Sequence, residues 1–269
     1  MSSSAAERRD RFRGLHDGPG IFVMPNPWDV GSARLLEASG FPALATTSQG
    51  LAWSLGKLDS QVTRDELVAH VEHLTGSLDV PLNVDSERCY PDEPGGVAET
   101  VRLLAEAGAA GCSIEDWDPE TERIDDVALA AERVAEAAAS AEAADGPFVL
   151  TGRAENHLRG VDDLEDTIAR LVAYRDAGAH CLYAPGLTRL DQVEAVVEAV
   201  EAPVNVLALP VGPSVAELGL AGVRRVSTGS LVAGAAYAAL ERAAAELAAG
   251  SSRYAEARLS RDLLDRAFG

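Results

Sequence analysis

Three apolar runs in this 269-residue chain end in carboxylates. They close as Asn83-Val84-Asp85-Ser86-Glu87, Ser113-Ile114-Glu115-Asp116 and Thr151-Gly152-Arg153-Ala154-Glu155-Asn156, and Asp59 stands in a loop upstream. Asp85 and Glu87 are two residues apart, so both can face the same side of an extended segment. Hard oxygen ligands of this kind suit Mg2+ or Mn2+, which keep several waters and take few direct protein contacts. Asp59, Asp85, Glu87 and Glu115 are therefore the candidate metal groups. Singly, each also reads as an exposed loop acid or a helix cap; as a set at consecutive strand ends they point to a cation.

Other chemistries have weaker support. A Schiff-base enzyme needs a desolvated lysine, and the sole lysine, Lys57, sits in the loop Leu55-Gly56-Lys57-Leu58-Asp59. Zinc chemistry asks for clustered histidines. His70 and His73 lie mid-helix, where a solvated face is expected, His16 lies in the N-terminal tail, and only His157 is well placed. No Gly-x-Ser-x-Gly occurs; Cys89 has no histidine nearby in sequence, and Cys112 and Cys181 read as strand residues of the core. Ser227-Thr228-Gly229-Ser230 either cradles an anion at a helix start or simply caps that helix.

The elements that must position these groups follow a regular alternation. Strand-like runs cover Ile21–Met24, Ala43–Thr46, Leu82–Asp85, Gly111–Glu115, Phe148–Gly152, His180–Ala184, Val204–Leu207 and Val223–Thr228. Helical spacing fills Thr63–Leu78, Val97–Ala107, Val127–Ala144, Asp162–Ala177 and Leu190–Val200 between them. Thr63 with Glu66 forms a capping-box pattern, and Gly108 and Gly178 fit helix C-caps. Eight such units predict an α/β protein, a (β/α)8 barrel with reactive groups at the C-terminal strand ends. An open doubly wound sheet is the alternative, but its Gly-x-Gly-x-x-Gly fingerprint is missing after the first strand. The expected organisation is one barrel domain over 1–269, with 1–18 as an N-terminal extension and 251–269 as a terminal helix. The apolar stripe of that helix packs either on its own barrel or on a neighbouring subunit.

Composition narrows the partners. With 23 basic and 43 acidic side chains the net charge is −20, against nucleic acid and against a polybasic membrane contact. No signal core, spanning segment or disulfide framework is evident, so a cytoplasmic protein is expected.

The same residues resemble the isocitrate lyase/phosphoenolpyruvate mutase superfamily from about Phe22 to Leu247. The matching motifs are Asn26-Pro27-Trp28-Asp29 with Ala33-Arg34, Thr47-Ser48-Gln49-Gly50, Asp59 with Thr63-Arg64, and Asp85-Ser86-Glu87. Further motifs are Ser113-Ile114-Glu115-Asp116, Gly152-Arg153-Ala154-Glu155 and Gly222-Val223-Arg224-Arg225-Val226-Ser227. The resemblance implies a barrel assembled as a homo-oligomer, a dimer or a tetramer with the terminal helix swapped, and a Mg2+-held 2-oxo acid or enolate. It implies Asp85 as direct metal ligand, with Asp59, Glu87 and Glu115 holding metal-bound waters or flanking the ion. Arg153 would meet the substrate carboxylate or enolate, the backbone at Thr47, Ser48 and Gln49 would bind the carboxylate, and Asn205 is a further substrate-binding candidate. Two departures stand out: Glu87 replaces the usual second Asp, and Trp117–Arg123 stands where the lyases carry a Lys-Lys-Cys-Gly-His type motif whose Cys is the catalytic acid.

The expected function is a Mg2+-dependent lyase cleaving a C–C bond of a small 2-oxo or 2-hydroxy carboxylic acid. Catalytic candidates are Arg153, Glu115, Glu155 and His157, the proton donor being Glu155, His157 or a metal-bound water. The alternatives are phosphonopyruvate hydrolase or phosphoenolpyruvate mutase-type P–C chemistry, or a catalytically weak 2-oxo acid binding protein.

Overall fold

The computed structural model describes residues 3–269. Eight parallel strands form a nearly closed barrel: β1 (Phe22–Met24), β2 (Leu44–Ala45), β3 (Leu82–Asp85), β4 (Gly111–Glu115), β7 (Val149–Arg153), β8 (Cys181–Tyr183), β9 (Val204–Leu207) and β10 (Arg225–Ser227). The intervening β5 (Trp117–Asp118) and β6 (Arg123–Ile124) make a separate antiparallel hairpin. The barrel order runs β2-β3-β4-β7-β8-β9-β10-β1. The (β/α)8 expectation holds, and all eight expected strands are in place.

The helices are α1 (Ala5–Asp17), α2 (Val30–Ala38), α3 (Ser48–Ser54), α4 (Arg64–Thr75), α5 (Gly96–Glu106), α6 (Val127–Glu142), α7 (Leu164–Asp176), α8 (Leu190–Val200), α9 (Val215–Leu220), α10 (Leu231–Ala248) and α11 (Arg261–Phe268). They start and stop for local reasons. Thr63 and Glu66 close a reciprocal capping box on α4. Gly108 and Gly178, just past α5 and α7, hold φ of 88° and 105°, which a side chain would resist. Val193, Val196 and Val200 give α8 one buried stripe against the sheet.

The seam between β1 and β2 is closed mainly by one side chain. The Ala45 N–H bonds Pro25 O at 3.1 Å. Asn26 Nδ2 donates to Thr46 O at 2.7 Å, while its Oδ1 accepts from the N–H groups of Thr228 and Gly229, each at 2.9 Å. Asn26 thus joins three strand ends. Because the Thr228 and Gly229 amides serve Asn26, they are engaged within the protein, and the segment after β10 closes the barrel at that point.

Two ends of the chain differ from their sequence reading. The supposed N-terminal extension contains α1, which buries Arg8, Arg9, Phe12 and His16 against the N-terminal end of the barrel. Its low content of apolar residues hid that contact, because two arginines make it by donating to backbone carbonyls: Arg9 Nε meets Ala109 O at 2.9 Å. The terminal helix begins later than expected: Arg253–Glu256 is a short 3-10 turn, and α11 starts at the Ser260 cap. Within this chain α11 packs on α2, with Arg266 donating to Ala38 O at 2.6 Å.

Candidate active site

A cavity of about 450 Å3 opens at the C-terminal ends of the strands, a volume suited to a small ligand. Parallel pairing brings its chemistry together. Register sets Asp85 beside Ser113, Glu115 beside Arg153, Arg153 beside Tyr183 and Tyr183 beside Asn205. Asp59, Asp85, Glu87, Glu115, Arg153 and Asn205 all line the cavity, as do Thr47, Ser48 and Gln49.

Arg153 is the electrostatic hub. Its guanidinium lies 3.4 Å from Asp85, 3.0 Å from Glu115 and 2.5 Å from Glu155. Asp85 also accepts from the Ser48 N–H at 3.1 Å, and its own N–H donates to Thr46 Oγ1 at 2.8 Å. Its carboxylate is therefore held in one orientation. Glu87 occupies left-handed backbone, φ 49°, in a tight turn after β3. That turn aims Glu87 into the cavity rather than continuing the strand.

The acids outnumber the nearby cation, and their protonation shows it. Burial, then the charges of Asp85 and Asp59, push Glu87 up to about 8. Burial likewise raises Glu115, with Arg153 opposing. Asp59, at the exposed mouth, is raised by the protein packed around it and by Asp85. Such crowding is relieved either by protons or by a cation. Among the described residues no three His, Cys, Asp or Glu side chains are close enough to form a ready-made metal cage. The donor set still fits an ion that keeps most of its own waters, as Mg2+ does, and fits a thiolate- or imidazole-seeking metal poorly.

Two expected catalytic residues lie off the cavity wall. Glu155 is fully buried beneath Arg153 and Arg159, paired to them at 2.5 and 3.2 Å. His157 is tucked into the loop away from the cavity, its side chain 6% exposed and its Nδ1 3.4 Å from Asp162. After β7 the chain bends, so only Leu158 and Arg159 of that loop regain the cavity. As placed, Glu155 contacts Arg153 rather than the cavity, and His157 is not among the residues that line it. Asn205 reaches it, but its amide is engaged at both ends, accepting from Arg225 Nε at 3.0 Å and donating to Ser227 at 2.9 Å.

Several residues were not singled out as site groups. Tyr183, at the end of β8, lines the cavity and packs its ring 5.5 Å from the Arg153 guanidinium carbon. Arg159 stands at the mouth over the Trp117 ring at 4.1 Å. Asp116 fixes the Arg153 loop from behind, accepting from the Glu155 N–H, Arg170 and Tyr174 at 2.9, 3.1 and 2.6 Å. The positions of Tyr183 and Asp116 at strand ends were visible in sequence; their contacts were not. The β5–β6 hairpin is tethered by Arg88, 3.0 Å from Asp118 and 3.3 Å from Asp125. Trp117–Arg123 is thus a short, pinned hairpin. The remaining alternatives for a nucleophile are buried or paired: all three cysteines are buried, and Lys57 is clamped by Glu66 at 2.5 Å. His73 is exposed, whereas His70 is half-buried and held neutral, its value lowered by burial to about 4.

Comparison with known proteins agrees with this fold. The family profile described as phosphoenolpyruvate phosphomutase matches residues 12–248. The chain belongs to the isocitrate lyase/phosphoenolpyruvate mutase superfamily. An oxaloacetate decarboxylase of Paraburkholderia xenovorans is 31% identical over 76% of this chain and 69% of its own. An uncharacterised protein of Mycobacterium tuberculosis is 35% identical over 89% of each chain. A Burkholderia cenocepacia J2315 structure, with only a provisional lyase/mutase assignment, superposes with a TM-score of 0.93 at 47% identity, covering 98% of this chain and 97% of that one. Superfamily relatives include both lyases and mutases. No helix among the described residues is long and apolar enough to cross a membrane.

Proposed function

We propose that this protein is a Mg2+-dependent lyase (Mn2+ being the near substitute) that cleaves a C–C bond of a small 2-oxo or 2-hydroxy carboxylic acid. The observation that carries this reading is the convergence of Asp59, Asp85, Glu87 and Glu115 on one cavity, with the Arg153 guanidinium paired to Asp85 and Glu115. Asp85 would be the direct ligand, and the other three acids would hold the ion's waters. The ion, when bound, supplies a Lewis acid that draws off the negative charge developing beside the substrate carboxylate.

The chain's own groups do the rest. With a cation taking over part of the Asp85 and Glu115 charge, Arg153 is free to turn one N–H toward a substrate oxygen, a charge-assisted contact. Glu155 keeps the guanidinium in plane from below. Asp116, buried under the same loop, holds the Glu155 backbone and so the height of Arg153 in the cavity. Thr47, Ser48 and Gln49 present the side of the cavity opposite β7 and β8 for the substrate's carboxylate. Leu158, Leu207 and Leu209 restrict water on the remaining wall, which strengthens each of these contacts.

The direct test is a Mg2+-dependent activity panel of oxaloacetate, isocitrate, methylisocitrate, dimethylmalate and phosphonopyruvate. The reading expects C–C cleavage of one of the carbon acids, and no turnover after chelation. Phosphorus NMR showing P–C turnover of phosphonopyruvate alone would replace the lyase reading with mutase or hydrolase chemistry. Tight binding without turnover of any of them would mark a 2-oxo acid binding protein.

A further inference from the structure

Cleavage of a C–C bond leaves an electron pair on carbon, and some group must deliver a proton there. Among the described residues lining the cavity there is no histidine, cysteine or lysine. The carboxylates sit around the presumptive cation, and serine or threonine hydroxyls are too weakly acidic to serve. Among the side chains one neutral acid remains, set against a metal-bound water as the other candidate: the phenol of Tyr183, 9% exposed and facing the cavity beside Arg153.

Its surroundings suit that role. The Tyr183 hydroxyl is within hydrogen-bonding reach of Ser227. Ser227 Oγ accepts from Asn205 Nδ2 at 2.9 Å, and Asn205 Oδ1 accepts from Arg225 Nε at 3.0 Å. Arg225 is 1% exposed in the barrel interior, and no carboxylate pairs with it. Its other bonds go to Thr151 Oγ1 at 3.0 Å and to His16 Nε2 at 3.1 Å. His16 Nδ1 bonds Phe12 O at 2.8 Å, so the ring donates there and accepts from Arg225 in its neutral form. A buried guanidinium with no counter-charge is costly on its own. Here it starts a hydrogen-bonded column that runs through Asn205 to Ser227, which lines the cavity together with its one phenol.

We propose that Tyr183 is the catalytic proton donor, and that Arg225, backed by neutral His16, is the positioning residue that stabilises its phenolate through Asn205 and Ser227. The inference rests on the carbon-acid reading above. In the step, the C–C bond breaks and its electron pair stays on the fragment released as an enolate. The phenol O–H breaks, its proton goes to the enolate carbon, and the O–H electron pair stays on the phenolate oxygen. Water then reprotonates the phenolate, and the hydroxide so formed takes the proton lost from the hydroxyl of a 2-hydroxy substrate or, where a 2-oxo acid releases CO2, adds to that CO2 as bicarbonate. With Arg153 beside the ring and Arg225 below it, both nearby cations favour the phenolate, while burial keeps the resting phenol protonated, raised to about 12.

The test separates this assignment from the overall reaction by using a half-reaction. Wild type and Tyr183→Phe, both loaded with Mg2+, are incubated with pyruvate in D2O, and deuterium entry into the methyl group is followed by NMR. Pyruvate binding is measured in parallel by calorimetry. The proposal expects exchange by wild type, at least a 100-fold slower rate in Tyr183→Phe, and binding within about threefold, since general acid–base groups contribute about 10²–10⁴-fold. It also expects Arg225→Met to move the alkaline limb of the exchange rate to higher pH, a shift that a merely structural loss would not produce. Exchange by Tyr183→Phe at the wild-type rate, or no exchange by wild type, overturns it. Failure of the cleavage panel with exchange intact would instead overturn the lyase reading while keeping Tyr183 as the proton donor.

Discussion

The acid groups of the cavity are poised between protons and a cation, and that balance can be read from pH. Glu87 carries a proton in the metal-free fold up to about 8, while an unfolded Glu loses it near 4.5. Between those values the folded state binds more protons than the unfolded one, so metal-free stability falls as pH rises through that window. Thermal melts in chelator should show the decline between pH 6 and 8, and Glu87→Gln should flatten it. Saturating Mg2+ should flatten it too, because the ion favours the ionised form. At Arg153 the expectation is positional: Arg153→Lys keeps charge but cannot hold Asp85, Glu115 and Glu155 together, so kcat should fall about 10²–10³-fold. Asp85, Glu87 and Glu115 were legible as cavity residues because they stand at or just beyond the ends of apolar runs, and strand ends are where a barrel presents its chemistry; Asp59 reaches the same cavity from a loop. Tyr183 and Arg225 were not singled out, because their meaning comes from neighbours across the barrel. His157 was misplaced for the same reason: the chain bends after Arg153, and only coordinates show which way.

At the level of elements, the barrel's seam and its plug were hidden from periodicity. Asn26 sits in a polar motif after β1, and nothing local says that it joins the ends of β2 and β10. Asn26→Ala leaves the Thr228 and Gly229 amides and Thr46 O without that partner, so stability should drop by about 2–3 kcal/mol in urea melts, with the cavity's shape disturbed. Helix α1 was taken for an extension because it carries few apolar residues, yet His16 docks in the barrel's interior end. Burial and Arg225 hold His16 neutral, lowering it to about 3. An unfolded His gains its proton near 6.5, so this group's contribution is present above that pH and is lost as pH falls toward 3. His16→Gln should therefore remove part of the acid-side slope in a stability profile measured from pH 4 to 7.

Across the whole molecule, α10 is the element least satisfied by its own chain. Of its 18 residues only Ala233 is buried, while Leu240 and Leu247 remain 64% and 56% exposed. Near its start Ala233 packs beside Gly50, and Tyr237 reaches back, edge-on to Trp53 with ring centres 5.6 Å apart. We propose that another subunit covers this face in a homo-oligomer; the exchange that the resemblance implies concerns the terminal helix, 251–269, which in this chain packs on α2. Sedimentation should show a dimer or tetramer, and the double change Leu240→Asp with Leu247→Asp should move it toward monomer. Alternation of strands and helices made the barrel legible from sequence, whereas an apolar helical stripe does not reveal whose surface it covers.

The most direct measurement is a calorimetric titration of Mg2+ into the metal-stripped protein and into Asp85→Ala, in two buffers of different ionisation enthalpy. The account predicts one site per chain in the wild type, with protons released as raised carboxyls ionise, and no measurable binding in the variant. Equal affinity in the two proteins, or no site in the wild type, would contradict it.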